Sequence, residues 1–447
     1  MAHILSSLSS VGYILIAIFS LGLVVIIHEA GHFLVARYFG VRVDVFSFGF
    51  GPRLLGIKRG PTDYRISALP FGGYVRMAGD NPSEERAGAP DEFLSKPRWQ
   101  RMLIAVAGPA MNCVLAIVMF AFIFGGASQA PIYSDKPVDV VAVKKDSTAD
   151  KAGIKPGDRL VSINGTENPT WDRASWEAKL TAPNILIPVS IERQGQLIST
   201  NVPSSMIEAD MFGEPADRIV VYSITPDSPA QKAGLHPGDE IVSVNGEHLQ
   251  AFRQFVMALD IHGDRPIEIG ILRNGHPENI HLRPVKKDYG DGLGMRWTVG
   301  FLPEGMPDKH TVKKGVVESV EFSLWFSGRL CQQFMQTIGQ LFVGKASPKQ
   351  FLGPLGIVTY SGQAARAGSR NLSIWMALIS LNLAVLNLLP IPILDGGHIL
   401  MLAIESVIRQ DLSLKTKERF IQVGFVFILL IFAFVMYNDV LRMFTHS

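Results

Sequence analysis

The sequence predicts a polytopic α-helical membrane protein with four transmembrane helices and a β-rich middle outside the bilayer. Three observations carry that reading. Four stretches of hydrocarbon length lack charge, the polar middle is built twice over, and the first apolar stretch contains an HExxH pattern. Only 18% of the 447 residues are charged and 47% are hydrophobic, with a mean hydropathy of +0.22. Soluble chains carry about 25% charged residues, so a purely soluble enzyme is excluded. Lys and Arg number 42 against 40 Asp and Glu, a net charge of +2, which leaves no basic field for nucleic acid. The two cysteines, Cys113 and Cys331, lie far apart and form neither a disulfide framework nor a CxxC pair.

The apolar stretches run over about residues 11–36, 103–125, 372–394 and 420–437. Arg37, Arg98 with Arg101, Arg370 with Asp395, and Arg419 with Asp439 bound them. The first lacks a basic start and an A-x-A cleavage site, so it reads as a retained span and not a signal peptide. Lys and Arg crowd two connections: Arg37 to Arg101, and Arg409 to Arg419. The positive-inside rule therefore puts both connections in the cytosol. Both termini and the polar middle, about 130–315, then lie outside. The expected division is 1–37 first span, 38–101 cytosolic-side loop, 102–128 second span, 129–208 and 209–303 two repeats. It continues with 304–369 as amphipathic helices at the outer membrane surface, 370–404 as the third transmembrane segment, and 405–447 as a cytosolic loop and fourth span. Gln332, Gln333, Gln336 and Gln340 make the 315–342 stretch too polar to span lipid comfortably, and its apolar positions suit a helix lying on the surface; a fifth span is the alternative.

In the repeat, Ala152-Gly153-Ile-Lys-Pro156-Gly157-Asp158 through Asn164-Gly165 returns as Ala233-Gly234-Leu-His-Pro237-Gly238-Asp239 through Asn245-Gly246. Each copy reads as a short helix ended by glycine, a Pro-Gly-Asp turn, an alternating strand and an Asn-Gly hairpin turn. The unit resembles the bacterial form of the PDZ domain, a β-rich α+β fold. That resemblance implies peptide recognition by strand addition, with peptide C-termini as ligands. Spacers or gates without a ligand remain an open alternative.

The chemistry lies in His28-Glu29-Ala30-Gly31-His32. Residues i and i+4 share a helix face, so both imidazoles can hold one metal ion while Glu29 takes a proton from the attacking water. The competing reading is a polar cluster that packs helices together. Ionisable side chains inside a hydrocarbon-length segment are costly and point to function. Two histidines leave zinc short of a protein ligand. Asp395, late in the third stretch, falls at the same cytosolic depth as His28 and His32 and is the best candidate. His398, three residues on, competes with it. Pro390 and Pro392 break the helix ahead of Asp395 and leave carbonyls free. Asn382 and Asn387 could hold substrate backbone there, or could satisfy those carbonyls.

His28 to His32, the Asn387 to Gly397 motif and the outer PDZ-like repeats together resemble the site-2 protease family, in the form of the bacterial sigma-E regulator proteases. The resemblance covers nearly the whole chain. It implies an intramembrane metalloprotease with one Zn2+ per chain, held by His28, His32 and Asp395, and with Glu29 as catalytic base. It places Asn387 and Asn382 at the substrate. It also implies a membrane-re-entrant β-hairpin within 41–77, where glycines interrupt alternating aromatic and β-branched residues; a cytosolic hairpin covering the site is the alternative. Expected partners are the lipid bilayer and single-pass proteins of the anti-sigma-factor type, after a first extracytoplasmic cut, together with remnant signal peptides. The expected place is the bacterial inner membrane, with the repeats periplasmic and the active site near the cytosolic face. A catalytically inactive PDZ scaffold and an intramembrane metal transporter are the competing functions.

Overall fold

The computed structural model describes residues 2–80, 88–131, 133–181, 185–204, 212–213, 215–288, 295–303, 309–344 and 352–445. The chain divides into two compact units, 1–126 with 313–447, and 127–312.

Among the described residues, the first unit holds four helices long and apolar enough to cross a membrane: Leu15–Tyr38, Arg98–Gly125, Ser369–Leu388 and Lys415–Leu441. The first helix stops where Gly40 takes φ +68°, and its last carbonyls accept from Gly40 and Val41. Gly31 lets it approach the second helix closely, since a Cβ there would overlap the Ala107 carbonyl.

Val43–Arg59 and Thr62–Met77 follow as two long antiparallel strands folded back on themselves. Residues 45–48 sit between 73–76 on one side and 63–66 on the other, and 55–59 pairs back on 62–66. Phe33 anchors this hairpin to the first helix, 5.2 Å from the Phe46 ring and 5.8 Å from Tyr64. Its far end exposes Leu54, Leu55 and Ile57.

The third spanning helix breaks ahead of Asp395, where its two prolines stand. It ends at Leu388, residues 389–394 fold back, and Asp395 opens a separate helix, Asp395–Ile408. Pro390 and Pro392 lack the N–H groups that would continue the helix. Ile393, at φ +83°, sits in backbone space that a β-branched residue seldom enters. Gly396 and Gly397 make room for the turn, because a Cβ on either would overlap carbonyls of the folded-back segment.

Val316–Phe342, expected as an amphipathic helix at the outer membrane surface, packs along the second helix. Its buried Ser319, Ser323 and Ser327, at four-residue spacing, form a small-residue stripe, with Ser319 beside Gly125. Phe322 and Phe326 stack edge-on against Phe124 and Phe120, at 4.8 and 4.9 Å. Short hydroxyls bond back to their own helix: Ser323 Oγ donates to the Ser319 carbonyl at 2.6 Å.

The second unit contains both repeats, each with its own core. One gathers Val138, Leu160, Trp171, Ile187 and Phe212; the other gathers Ile219, Ile241, Phe255, Ile269 and Phe301. Phe212 thus extends the first core past the expected boundary at 208. The first sheet runs Thr166–Glu167, Arg159–Ile163, Leu186–Arg193, Gln196–Pro203. The second runs His276–Leu282, Ile267–Arg273, Glu240–Val244, Ile219–Ile224, Phe301–Pro303. Both Asn-Gly pairs adopt positive φ at both positions, the turn that their dipeptide favours.

Each repeat also carries the same clasp. Arg193 donates to both oxygens of buried Asp158, at 2.6 and 2.7 Å, and to the Gly153 carbonyl. Arg273 does the same to Asp239, at 2.9 and 2.7 Å, and to the Gly234 carbonyl. Burial would push the Asp239 carboxyl up, but the forked guanidinium and the His236 amide outweigh it and hold the group below its ordinary value.

Candidate metal centre and active site

Helical spacing sets the first part of the site. His28 and His32, one turn apart, turn the same edge inward, with their Nε2 atoms 3.2 Å apart. Both are buried. The break at Leu388 supplies the third group. By opening a new helix immediately after the folded-back segment, the chain brings Asp395 Oδ2 to 3.2 Å from His28 Nε2 and Oδ1 to 3.5 Å from His32 Nε2. All three can offer one ligand atom within 4.8 Å of the others.

The donor set fits a divalent metal of the zinc type. His32 Nδ1 donates to the Ile104 carbonyl at 2.7 Å, which leaves its Nε2 with a lone pair. That lone pair faces a carboxylate, an arrangement that repels unless a cation stands between them. Asp395 Oδ2 is buried and has no hydrogen-bond donor. Gly108 of the second helix completes the cradle, because a Cβ there would overlap the His32 ring and press on His28 Nε2. Imidazole and carboxylate ligands with one carbonyl-anchored ring are the chemistry that zinc takes in catalytic sites.

Glu29 lies beside the cluster, and its Oε2 accepts the Val75 N–H at 3.1 Å. Val75 belongs to the outer edge of the hairpin, so a strand edge runs directly past the proposed base. Asn387 Nδ2 stands 3.3 Å from His28 Nε2. Asn382 is not among the described residues that line the cavity. Five residues turn a helix by about 140°, away from the side that Asn387 faces. The cavity of about 460 Å³ takes in His28, Glu29, His32, Asn387, Asp395 and His398. His398 reaches the wall but stays outside the three-residue cluster.

The family model for peptidase family M50 matches residues 16–431. This chain belongs to peptidase family M50. It is a metalloprotease. The Regulator of sigma E protease of Haemophilus influenzae is 31% identical over 98% of this chain and 100% of its own. The Regulator of sigma-E protease RseP of Escherichia coli K12 is 31% identical over 95% and 98%. The PDZ domain of an SdrC-like protein from Listeria innocua is 24% identical over 20% of this chain and 97% of its own, with a TM-score of 0.18, too low to bear on the fold.

One residue of this M50 site escapes sequence reasoning. Asn112, fully buried in the second helix, brings its Nδ2 to 3.3 Å from His28 Nδ1. Its backbone carbonyl accepts from Ser380 Oγ at 2.9 Å, tying the second helix to the third. A carboxamide in the middle of an apolar span was the available signal.

Proposed function

We propose that this M50 peptidase is an intramembrane zinc metalloprotease that hydrolyses peptide bonds within transmembrane segments of single-pass proteins. The observation that carries the reading is the meeting of His28, His32 and Asp395 among helices of membrane-spanning length. In this reading one Zn2+ per chain is held by those three side chains. Zinc so held polarises the scissile carbonyl and acidifies the attacking water.

The chain's own residues supply the remaining chemistry. Glu29 takes a proton from the attacking water and returns it to the leaving amine. Asn387, whose N–H groups point into the cluster, donates to the carbonyl oxygen as negative charge develops on it. A transmembrane helix hides its amides in its own hydrogen bonds, so it must unwind before it can be cut. The hairpin edge at Val75 offers an unwound backbone a strand to pair with, beside Glu29, and offsets the bonds lost on unwinding. The apolar end of the hairpin suits entry into the lipid.

Relatives that carry the name Regulator of sigma E protease support a substrate of the anti-sigma-factor type; in this reading it is cut after a first extracytoplasmic cleavage, and remnant signal peptides are of the same chemical class. The repeats are PDZ domains on the periplasmic side of a bacterial inner membrane. They filter substrates by size and bind peptide C-termini, while the reaction proceeds near the cytosolic face.

The test is cleavage of a synthetic single-span substrate by the purified chain, wild type against Glu29→Gln, with zinc content measured on both. Loss of a general base predicts a rate lower by about 10²–10⁴-fold with zinc retained. Equal rates would remove Glu29 from the chemistry.

A further inference from the structure

We infer that Asn112 is a positioning residue for His28: its side-chain carbonyl accepts the Nδ1–H, which fixes the tautomer that turns the Nε2 lone pair toward Asp395. The inference rests on the zinc reading above and adds a residue to it.

The argument begins with the second histidine. His32 has a carbonyl at Nδ1, 2.7 Å away, so that nitrogen carries the hydrogen and Nε2 is free to act as a ligand. His28 must reach the same tautomer for both rings to share one ion. Around its Nε2 stand His32 Nε2 at 3.2 Å and the Asn387 amide nitrogen at 3.3 Å. With the shared ion on its Nε2 lone pair, the ring hydrogen of His28 stands at Nδ1.

At Nδ1 the neighbour is the Asn112 carboxamide, with Nδ2 at 3.3 Å. Two N–H groups cannot face one another. A half-turn of the amide exchanges its ends and brings Oδ1 onto the Nδ1–H. Nothing among the described residues opposes the turn, because Oδ1 has no partner where it stands. The backbone at Asn112 is held firmly meanwhile by Ser380. Gly108 and Asn112 stand one turn apart on the same face of the second helix. The first gives the two imidazoles room, and the second orients one of them.

The experiment measures zinc affinity on the purified full-length chain by chelator competition, without substrate, for wild type, Asn112→Leu and Asn112→Asp. Outer-shell partners of zinc-bound histidines contribute about 10–100-fold in metal affinity. Asn112→Leu should lose that much. Asn112→Asp, which still accepts the Nδ1–H, should stay near wild type or bind more tightly. Wild-type affinity in Asn112→Leu overturns the inference alone, with the zinc reading intact. An equal loss in both variants overturns it too, since packing and not hydrogen bonding would then be the cause. A wild-type chain that binds no zinc removes the reading beneath it, and this inference with it.

Discussion

The two units of this protein bury charged and polar groups in opposite ways. In the repeat unit, Asp158 and Asp239 are each gripped by a forked guanidinium. Both carboxylates there meet their donors, and the sequence does this twice with the same residue types. In the helical unit, His28, His32 and Asp395 converge, yet they leave lone pairs facing a carboxylate and a buried oxygen without a donor. Where buried polar groups satisfy one another, they hold structure together. Where they converge without doing so, the compensating charge has to come from outside the chain, and the place is a site.

Three variants sharpen that contrast. The largest effect belongs to Gly108→Ala, whose Cβ would enter the space of the His32 ring. Displacing a reacting group by about 1 Å costs on the order of 10²-fold, so proteolysis of a single-span substrate should fall at least that far. Hydrogen exchange in the repeats should stay unchanged.

Asp239→Asn should do the reverse. It leaves the metal cluster intact while it weakens a bond to a charged group inside the second repeat, at a cost of about 1.5–3 kcal/mol. Hydrogen exchange of the second-repeat amides in the full chain would read that loss. The pH dependence carries the same sign. The Asp239 carboxyl titrates lower folded than unfolded. Its contribution is therefore complete above the unfolded value of about 3.9 and disappears as pH falls through the folded one. Wild-type protection in this repeat should drop on acidification through that range, and Asp239→Asn should flatten the drop.

The smallest effect is expected for Arg98→Ala. Its partner Asp411, 2.8 Å away, is 63% exposed, and such surface pairs contribute about 1 kcal/mol or less. A thermal shift larger than that pair allows would show that the contrast between buried and exposed charges has been drawn too sharply.

The meeting of His28, His32 and Asp395 was legible because two independent patterns point to it. One is helical periodicity within HExxH; the other is the equal depth of two spans running in the same direction. The repeats were legible because turn chemistry is local, and Asn164-Gly165 and Asn245-Gly246 state their own backbone angles. What escaped depends on contacts distant in sequence. Proline marks a break near Asp395, but only packing shows that the chain stops at Leu388 and starts again as a new helix. Asn382 and Asn387 are equally polar, and only the helix azimuth separates them. Asn112 lies 84 residues from the ring it touches.

The fourth spanning helix touches its surroundings at few places. Near one end Lys417 meets buried Glu405 at 2.7 Å. Near the other, Asp439 accepts from the Gly353 and Gly356 amides at 3.0 and 2.8 Å. Between these moorings, Gly424 is the seat on which Pro392 rests, three residues ahead of Asp395. A side chain at position 424 would therefore displace Pro392, and with it the turn that delivers Asp395 to the two histidines.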